Sequence, residues 1–167
     1  MTQAFVAILM GSDSDLPVMK STLDTLTSFG VAYEVRISSA HRTPAATAEY
    51  VADADKRGCA VFIAAAGLAA HLAGAVAAHT IKPVIGVPME GGPLNGFDAL
   101  LSTVQMPGGV PVASVAIGKA GAKNAAYLAT QILALNDSAL AQRLKDDRAR
   151  TAEQIAAKNQ ELQASLK

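Results

Sequence analysis

The sequence predicts an α/β fold, a three-layer αβα sandwich built on a parallel sheet. Short apolar runs alternate with segments of helical periodicity, an order that indicates a parallel sheet with helices on both faces. The 167 residues suit one domain, so residues 1–167 are expected to form a single unit. Hydrophobic residues make up 51% of the chain and aromatic residues only 4%, so small aliphatic side chains must build the core.

The first predicted strand is FVAILM, residues 5–10, an apolar run that Gly11 ends. Asp15 can then cap a helix with a proline in its first turn, and Gly30 is a natural end for that helix. The run AYEVRIS, residues 32–38, predicts the second strand.

Thr43 offers a capping hydroxyl before a proline, so a second helix is expected to run from there to about Arg57. The apolar run at residues 60–67 predicts the third strand, and an alanine-rich helix follows it. KPVIGVPM, residues 82–89, predicts the fourth strand.

Glycine, asparagine and proline mark residues 90–96 as a loop, and a helix is expected near residues 97–106. Residues 110–117 predict the fifth strand, and residues 122–135 predict another helix. From Asn136 the chain becomes polar and charged.

Residues 137–167 are expected to form a helical extension, broken once at most. Its apolar stripe consists of Leu140, Leu144, Ile155 and Leu162, at spacings close to multiples of the helical repeat. A stripe on an outlying helix favours packing against a neighbouring subunit, and a merely solvated tail is the alternative.

Charge and cysteine content exclude several classes of protein. The formal net charge is zero, which leaves no basic field for nucleic acid. Cys59 is the only cysteine, which fits a reducing cytoplasm, and we interpret it as a small buried hydrophobe rather than a nucleophile.

Residues 60–78 are uncharged and about as long as a membrane span, but they are mostly alanine and glycine around His71. We therefore expect a soluble cytoplasmic protein without a signal peptide.

Ligands of such sheets bind beyond the carboxyl ends of the strands, so the loops there are the candidate site. Gly11 follows the first strand and lets backbone approach a ligand. Ser12 suits a phosphate and Asp15 a ribose hydroxyl, although Asp13 and Asp15 could be ordinary helix caps.

His41 and Arg42 follow the second strand. The guanidinium offers a planar fork of donors to phosphate, and the nearby helix N-terminus favours neutral imidazole, which can act as a base. A surface arginine and a loop histidine are the alternatives.

His71 lies at another strand-to-helix transition and could line the site or be structural, whereas His79 is expected at the surface. No ligand spacing supports a metal site at Asp13, Asp15 and His41. Together these residues favour proton-transfer chemistry on a small phosphorylated substrate.

Several segments in unbroken order also resemble a known family. They are MGSDSD, SAHRTP, AAHLAG, PVIGVP, LLSTVQMPGGVPVASVAIGKAGAKNA and ATQIL, spanning roughly residues 6–144. They closely resemble the bacterial 5-(carboxyamino)imidazole ribonucleotide mutases, the PurE family of purine biosynthesis. The resemblance implies a flavodoxin-like sheet, a homo-octamer and a ribonucleotide substrate. It also implies a reaction without metal, ATP or other cofactor that moves a carboxylate from the exocyclic nitrogen to carbon 4 of the imidazole.

The resemblance assigns roles to individual residues. His41 matches the general acid/base of the family, and loops near residues 67–72 and 105–109 resemble its pocket walls. Ser12, Asp15 and Arg42 match its nucleotide-binding residues. The complete set of expected substrate-binding residues is Gly11, Ser12, Asp15, Ser39, Arg42, Ala70, His71 and Leu72. The chain departs from many members, which have glycine at Leu68 and proline at Ala73.

Three other functions remain as alternatives. Related enzymes carboxylate aminoimidazole ribonucleotide directly with free carbon dioxide, but the divergent branch has lysine in place of Arg42. A flavodoxin-like electron carrier would use aromatic rings to hold its flavin, and this chain has no tryptophan. A phosphoacceptor domain needs an aspartate at the end of the third strand, where this chain has AAAG.

Overall fold

Parallel strands and six α-helices alternate along the computed structural model, which describes residues 4–166. The strands are β1 (Phe5–Met10), β2 (Tyr33–Ile37), β3 (Cys59–Ala66), β4 (Val84–Pro88) and β5 (Ala113–Ser114). The helices are α1 (Leu16–Ser28), α2 (Pro44–Lys56), α3 (Leu72–Ala77), α4 (Phe97–Val104), α5 (Gly118–Ala134) and α6 (Ser138–Ser165). The strand order β2-β1-β3-β4-β5 is flavodoxin-like, which confirms the predicted fold.

Two apolar clusters, one on each face of the sheet, make up the core. Successive side chains of a strand point to opposite faces, so Ile8 packs with α1 and α5 while Leu9 packs with α2 and α3. All six residues of β1 are buried, because helices cover both sides of it. The α5 side of the core consists largely of alanine, as the low aromatic content predicts.

Several boundaries differ from the sequence-based prediction. β5 is shorter than residues 110–117, because Pro111 cannot donate a ladder hydrogen bond and the strand lies at an edge of the sheet. α5 begins at Gly118, ahead of residue 122, because two glycines in its first turn conceal its start from a propensity argument. The expectation that Thr43 caps α2 is wrong: its hydroxyl bonds the backbone of Ser39 instead.

The C-terminal extension is one unbroken helix. Leu140 is buried against α5, and the hydroxyl of Tyr127 donates to Asp147 at 2.7 Å, which fixes the first turns of α6 on the domain. Farther along, Ile155 and Leu162 are 63% and 54% exposed, so the rest of the helix projects from the domain. No helix within residues 4–166 combines the length and apolar character needed to cross a membrane.

Candidate active site

A cavity of about 570 Å³ opens at the carboxyl edge of the sheet. Its walls are the loops that follow β1, β2, β3 and β4. In the sheet, β2 lies on one side of β1 and β3 lies on the other, so the strand order reverses at β1. The cavity therefore lies at a topological switch point. The volume is in the range of small-molecule sites.

The loop after β1 is held in a short capped turn. The backbone N–H of Ser12 donates to Asp15 Oδ2 at 3.1 Å, and the backbone N–H of Ser14 donates to Ser12 Oγ at 3.3 Å. This capping box precedes a single 3₁₀ turn, so Ser12 is the capping hydroxyl and Asp15 its reciprocal partner. The expectation that Asp15 caps α1 is wrong, because its carboxylate accepts from Ser12 and makes no cap hydrogen bond to that helix. Both residues also line the cavity, so the capping role and a binding role are compatible.

The environment of Asp15 disfavours its charge. Burial raises the pKa of its carboxyl above the ordinary value, whereas the backbone hydrogen bond from Ser12 acts in the opposite direction. The nearby charge of Asp13 also raises the pKa. A hydroxyl donor from a ligand would offset part of the lost hydration, so the carboxylate is suited to accept one.

Arg42 joins the loops after β1 and β2. Its Nη2 donates to the carbonyl oxygen of Gly11 at 3.0 Å, and its Nε donates to Ser39 Oγ at 3.3 Å. The backbone N–H of Arg42 donates to the same hydroxyl at 3.2 Å. These bonds hold the guanidinium at the cavity wall beside the serines of the first loop, where an anion would contact both.

His41 and His71 form a hydrogen-bonded pair in the cavity. His41 Nε2 and His71 Nδ1 lie 2.7 Å apart, and the rings meet edge to face with centroids 4.8 Å apart. Both side chains are exposed, and they come from the loops after β2 and β3. A hydrogen bond needs one donor and one acceptor nitrogen, so at most one ring is an imidazolium while the bond exists.

The other expected residues are divided between the cavity and its surroundings. Ser39 and Leu72 line the cavity, as do Gly11 and His71. Ala70 is buried and does not line it. The loop of residues 105–109 also lies outside the lining, and Met106 of that loop packs beside Gly74 of α3.

Sequence reasoning included residues 11–15 and 89–96 among the strand ends that could form the site, but it assigned no role to Ser14 or to the loop after β4. Of these residues, the cavity is lined by Ser14, Met89, Glu90, Gly91 and Gly92. The position after a strand identified the loops, but it could not show which of their residues face the cavity. Across the described residues, no three or more His, Cys, Asp or Glu side chains gather in a group that could hold a metal ion.

Comparisons with known proteins point to one family. The model of the AIR carboxylase family matches residues 5–154. The N5-carboxyaminoimidazole ribonucleotide mutase of Thermotoga maritima is 52% identical over 158 residues, covering 95% of this chain and 91% of the relative. The mutase of the same name from Bacillus subtilis is 51% identical, covering 96% of this chain and 99% of its own.

Solved structures agree with the sequence comparisons. PurE of Treponema denticola has a TM-score of 0.84 and 30% identity, covering 93% of this chain and 96% of that one. A structure described as Treponema denticola PurE2-S38D has a TM-score of 0.88 and 29% identity, covering 96% of this chain and 98% of that one. The similarity therefore extends over the sheet, the helices and the loops that form the cavity.

Proposed function

The chain belongs to the AIR carboxylase family, and we propose that it is an N5-carboxyaminoimidazole ribonucleotide mutase of purine biosynthesis. One observation carries the proposal on the structural side. A histidine pair, a tethered arginine, serine hydroxyls and a partly buried carboxylate line a single cavity of ribonucleotide size. Relatives named as mutases share about half of the chain's residues, which supports this substrate over others.

We assign nucleotide binding to the first two loops. The bonds to Ser39 and Gly11 fix the guanidinium of Arg42, whose remaining N–H groups donate to the phosphate. Ser12 adds a hydroxyl beside them. Asp15 accepts a hydrogen bond from a ribose hydroxyl. These contacts leave the imidazole ring of the substrate free to extend toward the histidine pair.

The chemistry follows from His41 acting as a proton carrier. Protonated His41 gives its proton to the exocyclic nitrogen, the bond between that nitrogen and the carboxylate carbon breaks, and its electron pair remains on the nitrogen. Carbon dioxide is released into the cavity. Carbon 4 of the electron-rich ring then attacks it, and His41 removes the proton from carbon 4. The proton returns to its donor, and the isomerisation is redox-neutral overall, so the reaction needs no redox cofactor.

His71 fits this scheme as a positioning partner. Its Nδ1 is hydrogen-bonded to His41 Nε2, which fixes the plane of the His41 ring and places one proton between the two nitrogens. A fixed donor is more effective than a mobile one, because the two proton positions, the exocyclic nitrogen and carbon 4, are only two bonds apart on the substrate.

The second candidate is carboxylation of aminoimidazole ribonucleotide with free carbon dioxide. The family description names that activity, and PurE of Treponema denticola shares the fold at 30% identity. We favour the mutase because the relatives with that name are about 50% identical to this chain.

An ultraviolet assay with two substrates tests the choice. Rapid conversion of the 5-carboxyamino ribonucleotide at low bicarbonate is the expected result. Turnover of aminoimidazole ribonucleotide only, at a rate that rises with dissolved carbon dioxide, would make the protein a carboxylase. No turnover of either substrate would leave a nucleotide-binding module.

We further propose that the protein acts in the cytoplasm as a homo-octamer. Apolar side chains on two helices support assembly: Phe97 and Leu101 on α4 are 64% and 57% exposed, and α6 carries exposed Ile155 and Leu162. Light scattering coupled to gel filtration should give a mass of about eight chains. A monomer would refute the assembly without affecting the assignment of the cavity.

A further inference from the structure

Leu68 adopts a backbone conformation that costs free energy. Its φ is +55°, and in the described part of the chain only one other non-glycine residue, Asn95, has a positive φ. Asparagine tolerates this left-handed region, but a leucine side chain is disfavoured there. A residue held in such a conformation at a cavity is a candidate for a functional role, because the surroundings must maintain it.

The side chain of Leu68 bridges two walls of the cavity. It is 54% exposed, lines the cavity in the loop after β3, and lies against Gly92 in the loop after β4. A Cβ on Gly92 would lie 2.6 Å from Leu68 Cδ2, so the leucine covers the bare backbone of Gly92 and would have to move to admit a side chain there. The two loops therefore meet at the rim through this contact.

Apolar residues close to Leu68 line the same cavity as the histidine pair. They are Ala69 of its own loop, Leu72 at the start of α3 and Met89 of the facing loop, whose next residue, Glu90, is the charged exception. His71 lies three residues after Leu68. The backbone N–H of Ala70 donates to the Leu68 carbonyl at 2.8 Å and that of His71 donates to the Ala69 carbonyl at 2.9 Å, so two consecutive turns connect the leucine to the imidazole. An apolar wall beside the proton carrier suits a small uncharged molecule better than an ion.

We propose that Leu68 closes the rim of the cavity over Gly92 and slows the escape of carbon dioxide between the two halves of the reaction, beyond the retention that members with glycine at this position achieve. This inference rests on the mutase function proposed above. In that reaction carbon dioxide leaves nitrogen and must meet carbon 4 before it escapes, so the barrier to its escape sets the fraction that is transferred rather than released.

Isotope incorporation measures that escape. Unlabelled 5-carboxyamino ribonucleotide is converted in ¹³C-bicarbonate with carbonic anhydrase, and mass spectrometry gives the labelled fraction of the product early in turnover. A parallel reaction that starts from aminoimidazole ribonucleotide corrects for capture of free carbon dioxide. The variants are Leu68→Gly, which removes the side chain, and Leu68→Asn, which introduces a residue that tolerates the left-handed conformation but makes the rim polar. Asn95→Gly is the matched control, because it changes the other positive-φ residue, which does not line the cavity.

The expected result is a severalfold rise in labelled product for both Leu68 variants, with the KM for the nucleotide unchanged and the Asn95→Gly control at the wild-type value. If one Leu68 variant does not fold, as judged by circular dichroism, the other gives the answer. Labelling equal to the wild type in the folded variant would overturn the role of Leu68 and leave the mutase function intact. Complete labelling by the wild type would also overturn it, and absence of wild-type turnover would instead refute the proposed function.

Discussion

Replacement of His71 by alanine tests the histidine pair as a functional unit. The change removes the hydrogen bond of 2.7 Å to His41 but no buried contact, because both rings are exposed. One hydrogen bond contributes about 0.5–1.5 kcal/mol net, which corresponds to roughly a two- to tenfold loss of rate when it positions a catalytic group. We therefore expect kcat to fall by that factor while the melting temperature and the KM for the nucleotide stay unchanged.

Steady-state kinetics with two companion variants distinguish positioning from a structural effect. His71→Asn keeps a polar group near the position of Nδ1 and should recover part of the lost kcat. His79→Ala removes an exposed histidine that does not line the cavity and should behave as wild type. An unchanged kcat in His71→Ala would refute the positioning role, and a loss as large as that of a His41 variant would make His71 a proton carrier itself.

Three further predictions follow from the site and the core. Arg42→Lys should raise the KM by about tenfold with kcat nearly unchanged, because lysine lacks the planar fork of donors proposed to bind the phosphate. Arg143→Lys on α6 is the control, and an unchanged KM in Arg42→Lys would contradict the phosphate-binding role of Arg42. Asp15→Asn should weaken nucleotide binding by about 10- to 100-fold through loss of a charge-assisted hydrogen bond. The same variant should unfold at higher urea concentration than the wild type at neutral pH, because burial raises the pKa of the Asp15 carboxyl and ionisation therefore costs stability. That advantage should vanish as the pH falls below the pKa of an unfolded aspartate, and a wild type that is the more stable protein at neutral pH would contradict the reasoning. Cys59 should react with a thiol reagent only after unfolding, because burial raises the pKa of its thiol to about 11; rapid labelling of the native protein would contradict its place in the core.

The sequence was most informative where local pattern and tertiary environment agree. β1 is buried on both faces, so its uniform apolar run was sufficient to identify it. β5 has one partner and follows Pro111, so hydrogen bonding and not hydrophobicity sets its length, and the apolar pattern of residues 110–117 predicted too long a strand. The packing partner of α6 could not be predicted from the sequence. The exposed stripe of Ile155 and Leu162 indicates a contact but does not identify the surface against which it packs.

The site was predictable as a location and less so in its contacts. The rule that ligands bind beyond the strand ends identified the loops, and polar residue types drew attention to His41 and Arg42. Neither observation could reveal that His41 would pair with His71, because that distance depends on how the loops after β2 and β3 cross the sheet edge. Leu68 is a further case, since its conformation and its contact with Gly92 exist only in three dimensions.

The most direct test of the central claim is the separation of binding from turnover in His41→Asn. Calorimetry with the carboxylated product measures affinity, and the ultraviolet assay with the 5-carboxyamino ribonucleotide measures kcat. Because Ser12, Asp15 and Arg42 are untouched, the affinity should stay within about threefold of the wild type. Loss of the proton carrier should lower kcat by about 10²- to 10⁴-fold. A variant that retains most of its kcat, or one that loses affinity to the same degree as kcat, would contradict the assignment of His41 as the proton carrier in this cavity.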